Sequence, residues 1–138
     1  MNCVILIVED DTELQDLYAA MLEHTDCRIV RAYDGLDAWD RLREMTPDLI
    51  LLDIILGEMM GDEFFVKVKQ ELAYRDIPIA ILSVLAPETC QHLLEMDRRT
   101  LFLRKPFRKA ELLDAIEKGM AQNCAGEQRQ NGYHSMRT

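Results

Sequence analysis

PDLILLDIILGEMMGDEFF, residues 47–65, is the stretch on which the fold turns. Its first half is a continuous run of Leu and Ile, the pattern of a strand buried on both faces of a parallel sheet. The run ends on a single carboxylate, Asp53, after which the chain is expected to loosen at Gly57 and Gly61. A second apolar run, residues 2–8 (NCVILIV), meets acid at Glu9 and Asp10. Acids that close buried strands lie at the carboxyl edge of a sheet, where open α/β folds place their ligands.

Outward from these runs, strand and helix patterns alternate. Thr12 and Gln15 have the spacing of a capping box, and Leu14, Leu17, Tyr18, Met21 and Leu22 follow a helical stripe. Residues 27–32 (CRIVRA) read as a strand near a sheet edge, because Arg28 and Arg31 need water. Asp34-Gly35 marks a turn, and Ala38, Trp39, Leu42 and Met45 give a second helix, stopped by Thr46-Pro47. Phe64, Phe65, Val68 and Leu72 give a third. Residues 77–82 (IPIAIL) form a fourth strand, and Pro87 opens a fourth helix whose stripe is only Cys90, Leu93 and Leu94. Residues 100–103 (TLFL) form a fifth strand running into Arg104, Lys105 and Pro106. Leu112, Leu113, Ile116 and Met120 define a last helix, with Arg108 opposing the dipole at a poorly capped first turn. One folded unit over residues 1–121 is expected, followed by a polar tail or linker start over 122–138.

The 138 residues are enough for one domain with a real core, and 49% apolar content excludes disorder. With 16 basic against 25 acidic residues, the net charge of −9 argues against direct binding to nucleic acid or an anionic membrane. No segment approaches a membrane span, and the N-terminus lacks the basic region of a signal peptide. Cys3, Cys27, Cys90 and Cys124 show no C-x-x-C and no zinc spacing. They read as free thiols, three in or near the core and Cys124 in the tail, which suits a reducing cytoplasm.

Five strands alternating with five helices argue for a parallel sheet covered on both faces. In such a sheet the strand ends carrying Glu9/Asp10, Asp53, Ser83 and Lys105 share one edge. The stretches VILIVEDD, LILLDIILGEMMG, IAILS and LFLRKPF, in that order, resemble the signature stretches of a response-regulator receiver domain over about residues 3–120. The resemblance implies a flavodoxin-like doubly wound α/β fold of strand order 2-1-3-4-5, for which a chemotaxis receiver is the standing example.

It further implies that Asp53 is a phospho-acceptor fed by the phosphohistidine of a sensor kinase or phosphotransfer protein. Glu9, Asp10, Asp53 and the carbonyl of Ile55 would hold Mg²⁺ or Mn²⁺, with Glu9 acting through water. Lys105 and Ser83 would meet the phosphoryl oxygens, Ser83 and Phe102 would form a switch, and Lys105-Pro106 would be cis. The output would be a changed surface on the fourth helix, fifth strand and fifth helix, offered to a downstream protein or a second copy.

Several positions depart from the family pattern. Gly57 replaces the usual Pro, Val84 a smaller residue, and Arg98-Arg99 small residues before the fifth strand. Apolar Ile55 and Leu85 cannot orient an attacking water, so a long-lived phosphoryl group is expected. The rival readings are a pseudo-receiver that only binds proteins, and an aspartyl phosphatase. The latter wants a second acid two residues after Asp53, where Ile55 stands, and a turnover enzyme is therefore not expected. A flavin protein would want a Ser/Thr/Gly-rich first loop, and this one is acidic.

Overall fold

The apolar runs become the middle of a five-stranded parallel sheet of order β2-β1-β3-β4-β5. The structure is a computed structural model that describes residues 3–55 and 61–122. In chain order the elements are β1 (Cys3–Val8), α1 (Thr12–Met21), β2 (Cys27–Ala32), α2 (Gly35–Glu44), β3 (Leu49–Asp53), α3 (Gly61–Gln70) and β4 (Ile79–Ser83). A 3-10 turn (Pro87–Cys90) runs into α4 (Gln91–Met96), followed by β5 (Leu101–Arg104) and a last helix, α5, over 109–122. No described helix is long and apolar enough to cross a membrane.

Side chains of a strand alternate between faces, so each central strand feeds two cores. Leu6, Val8, Ile50 and Leu52 pack with Ala38, Leu42, Phe64, Phe65, Val68 and Leu93 of α2, α3 and α4. Ile5, Ile7, Leu49 and Leu51 pack on the other face with Tyr18 and Leu22 of the α1 side and Leu112, Ala115 and Ile116 of α5. Every residue of β3 and β4 is buried, which is why both read as unbroken apolar runs. β2 is an edge strand, as its arginines require, and Arg31 pairs with Asp16 at the surface.

The structure corrects several local expectations. Asp11, not Thr12, caps α1: its Oδ1 accepts from the N–H groups of Glu13 and Leu14. An acid serves the dipole at this end better than a hydroxyl. Leu17 is exposed at the stripe's margin, and Leu72 lies beyond the end of α3. Pro87 begins a 3-10 turn rather than an α-helix. The first turn of α5 keeps half a capping box, because Glu111 Oε1 accepts from the Arg108 N–H at 3.1 Å.

Cys3 and Cys27 are not free thiols but a disulfide. They are facing residues of β1 and β2, with Cα atoms 4.5 Å apart and a sequence separation of 24. Buried Cys90 is free as expected, and Cys124, Gly57 and the tail from 123 lie outside the described residues.

Of Arg98 and Arg99, it is Arg99 that ties down the chain just past α4. Asp97, which follows the helix, accepts from Arg99 Nε at 3.1 Å and from Lys69 Nζ of α3 at 2.8 Å. Lys69 Nζ also donates to the carbonyls of Arg75 and Ile77, so each ammonium proton has an acceptor. Burial alone would raise the Asp97 carboxyl, but Arg99 and Lys69 outweigh it and hold it below the ordinary carboxylate range. Burial pulls the Lys69 ammonium downward, and its bond to Asp97 opposes that pull. A depressed carboxyl contributes stability above its unfolded value, and that contribution is lost as pH falls through the folded one. Asp97→Asn should therefore cost about 3 kcal/mol in denaturant unfolding at about pH 7 and progressively less toward about pH 3. An equal loss at both would show that the charge of Asp97 is not the cause.

Candidate functional site

Parallel strands bring their carboxyl ends to one edge, so the register decides which side chains meet. Val8 pairs Leu52, Asp53 pairs Leu82, and Ser83 pairs Arg104. Glu9, one residue past β1, Asp53 at the end of β3 and Lys105, one residue past β5, thereby face one another. The turns are fixed by backbone bonds: Glu9 N–H to Ala32 O at 3.0 Å, Ile54 N–H to Leu82 O at 3.1 Å, and Lys105 N–H to Ser83 O at 2.7 Å.

Lys105 Nζ donates to Asp53 Oδ2 at 2.8 Å and to Glu9 Oε1 at 3.0 Å. The second oxygen of each acid also has a donor, the Ile55 N–H for Asp53 at 2.9 Å and the Asp11 N–H for Glu9 at 3.3 Å. Glu9 is 1% and Asp53 7% exposed, while Asp10 faces solvent. One ammonium cannot neutralise two buried carboxylates, so the second tends to take a proton. Burial, reinforced by neighbouring Asp53, pushes the Glu9 carboxyl up to about 8, and Lys105 opposes this only in part. Burial also disfavours the Lys105 ammonium, but its bonds to Asp53 and Glu9 outweigh that and raise it above the ordinary lysine value.

Carboxylate oxygens of Glu9, Asp10 and Asp53 lie within 4.8 Å of one another. Three hard anionic ligands with one side open to water fit a small dication such as Mg²⁺ or Mn²⁺. Ser83 is buried, and its Oγ accepts from the Leu85 N–H at 3.0 Å, which leaves its O–H free to donate. Phe102 sits opposite Ile81 on β5, half-buried against the core that holds Leu93. The Lys105-Pro106 bond is cis. Ile55, Val84 and Leu85 are exposed.

Two contributors escaped the sequence reading. Gly61 does not loosen the chain: a Cβ there would lie 2.5 Å from Asp53 O and 2.6 Å from Ile54 Cα. Its N–H bonds Ile54 O at 3.0 Å, seating the start of α3 directly on the end of β3. Gln15 is no capping-box partner. It is buried, and its Nε2 reaches three backbone carbonyls beneath Glu9.

A family model described as the response regulator receiver domain matches residues 5–117. The chain belongs to this family. The receiver is 26% identical over 116 residues to Protein PilG of Pseudomonas aeruginosa, covering 82% of the chain and 84% of that protein. It is 33% identical over 113 residues to the phosphate regulon transcriptional regulatory protein PhoB of Escherichia coli, covering 82% of the chain but 49% of PhoB. It is 30% identical over 113 residues to hybrid signal transduction histidine kinase D of Dictyostelium discoideum, of which it spans 7%. Among solved structures, chemotaxis protein CheY4 of Vibrio cholerae superposes with a TM-score of 0.78 at 25% identity, over 86% of this chain and 98% of that one. The receiver's flavodoxin-like fold, order 2-1-3-4-5, is thus the one its residues imply.

The metal-free fold binds a proton at Glu9 up to about pH 8, whereas an unfolded Glu releases it near 4.5. That contribution to stability is complete in acid and is lost as pH rises through about 8. A bound dication favours the ionised carboxylate instead. Mg²⁺ should raise the melting temperature of the receiver more at about pH 8.5 than at about pH 6, and a flat gain would contradict this. Gly61→Ala, forced against backbone, should cost about 1–3 kcal/mol in unfolding and weaken metal binding as well. Unchanged stability would mean that α3 can back away from β3 freely.

Proposed function

We propose that this receiver accepts a phosphoryl group on Asp53 from the phosphohistidine of a sensor kinase or phosphotransfer protein. The observation that carries the reading is the Lys105 ammonium set between Asp53 and Glu9, with Asp10 at the open rim. Such a cluster is electrostatically incomplete, and it can welcome an incoming anion only if more positive charge is present.

In this reading an Asp53 oxygen attacks phosphorus in line, a P–O bond forms, and the P–N bond to imidazole breaks. The leaving imidazole takes its electron pair and is protonated from solvent. Lys105 passes from the Asp53 carboxylate to a phosphoryl oxygen, and the Ser83 hydroxyl donates to another. Glu9, Asp10, Asp53 and the Ile55 carbonyl would hold Mg²⁺ or Mn²⁺, which supplies charge neutralisation on the phosphoryl oxygens.

Ser83 moving toward phosphate vacates space beside Phe102, whose ring turns inward. That changes the face of α4, β5 and α5, the surface for a downstream partner. The protein acts as a switch and not as a turnover enzyme. Ile55 and Leu85 are 49% and 41% exposed and flank the acceptor with apolar atoms, so nothing on them aligns a hydrolytic water.

Incubation with acetyl phosphate and Mg²⁺, read by intact-mass spectrometry, should give one phosphoryl adduct that Asp53→Ala abolishes. The adduct should persist after donor removal, and Ile55→Asn should shorten its lifetime several-fold. An adduct that survives Asp53→Ala would end the reading. Rapid loss from the unaltered protein would end the argument from apolar flanks.

A further inference from the structure

Gln15 sits one turn into α1 and is fully buried, yet it does not pack as the apolar residue that its place on the helix would suit. Its Nε2 lies 3.0 Å from Ile7 O, 3.2 Å from Glu9 O and 2.8 Å from Ala32 O. Three carbonyls converging on one atom fix the amide's orientation, since the oxygen would be repelled there. The Oε1 is left buried with no hydrogen-bond partner. A leucine or methionine would fill the space without the unpaired Oε1 but would withdraw the N–H groups from these carbonyls, so what the position gains from Gln is its donors.

Those donors join three pieces of chain. Ile7 and Glu9 bracket the end of β1, Ala32 ends β2, and Gln15 belongs to α1. Between β1 and α1 lie only Glu9, Asp10 and Asp11. This short loop is anchored on the strand side by the Glu9 N–H bond to Ala32 O at 3.0 Å, the same carbonyl that Gln15 binds. On the helix side it is anchored by Asp11, whose carbonyl accepts from the Gln15 N–H at 3.0 Å. The loop carrying two of the three acids is thus held from beneath by one residue, through both its side chain and its backbone.

We infer that Gln15 is a positioning residue for the metal site: it clamps the 9–11 loop so that the Glu9 and Asp10 carboxylates stand ready to meet a dication with Asp53. The inference rests on the metal-binding part of the proposed function, and it adds a residue that touches neither metal nor phosphate. Residues that orient metal ligands from behind typically change affinity by about 10–100-fold when lost. A residue that merely fills space changes stability and leaves affinity alone.

The test uses Gln15→Met, which keeps length and volume but has no N–H, and Gln15→Asn, which keeps the amide but is too short to span the three carbonyls. Leu42→Ala, in the opposite core, serves as a variant destabilised without touching the loop. Mn²⁺ affinity is measured by calorimetry, and exchange of the Glu9 and Asp10 amides by NMR in chelator. The expected result is Mn²⁺ binding weakened about tenfold or more in a folded Gln15 variant, near-unaltered binding in Leu42→Ala, and faster exchange at Glu9 and Asp10 in the Gln15 variants only. Gln15 variants that bind Mn²⁺ within about twofold of the unaltered protein would overturn the inference while leaving the site reading intact. Failure of the unaltered protein to bind Mn²⁺ would instead sink the site reading. The clamp would then stand or fall on whether those amides exchange faster without Gln15.

Discussion

The bridge from Lys105 to Asp53 and Glu9 is the interaction on which the arrangement of the site depends. It joins the ends of β5, β3 and β1, which are separated by up to 96 positions in sequence. Two carboxylates could not be buried side by side without it, since an unpaired buried charge is costly enough to drive protonation. The bridge also leaves the site short of positive charge, because one ammonium faces two buried acids and a third at the rim. That deficit is what the proposed dication would answer and, with the dication, what would admit the proposed phosphoryl anion. Stability and chemistry here draw on a single electrostatic imbalance.

The parallel sheet makes this cluster possible. Crossover helices return every strand in the same direction, so all five carboxyl ends gather at one edge. Both faces of the sheet are covered, α1 and α5 on one and α2, α3 and α4 on the other, which removes water from beneath the acids. At the carboxyl ends of the strands the acids stand close to this apolar core. Gly61 refines the position by letting the backbone of α3 touch that of β3, and Gln15 does so by tying β1, β2 and α1 together.

Much of this was legible because burial leaves a strong mark on composition. β3 and β4 read as strands since both faces demand apolar residues, and β2 read as an edge because of Arg28 and Arg31. Asp53, Glu9 and Lys105 were visible as charges that interrupt apolar runs. What stayed hidden depends on contacts between distant segments. The Cys3–Cys27 bond follows from strand register, which no spacing rule encodes. Gln15 looked like a capping residue because its partners are carbonyls contributed by two strands. Gly61 looked like a flexible joint because a steric limit set by Asp53 and Ile54 does not show in one dimension. The start of α1 was misplaced by one residue because Asp11 and Thr12 are both good caps, and only the backbone conformation chooses between them.

The disulfide gives the sheet a mechanical asymmetry. Cys3–Cys27 staples β1 to β2 at the end remote from the acids, and Gln15 fastens the same two strands at the other end. This pair forms a stator, braced covalently below and by hydrogen bonds above. β5, at the opposite flank, has only four residues, and its Leu101 and Phe102 are just half-buried. The proposed switch would find room on the less buried β5 flank, with the stapled strands as the braced side of the sheet.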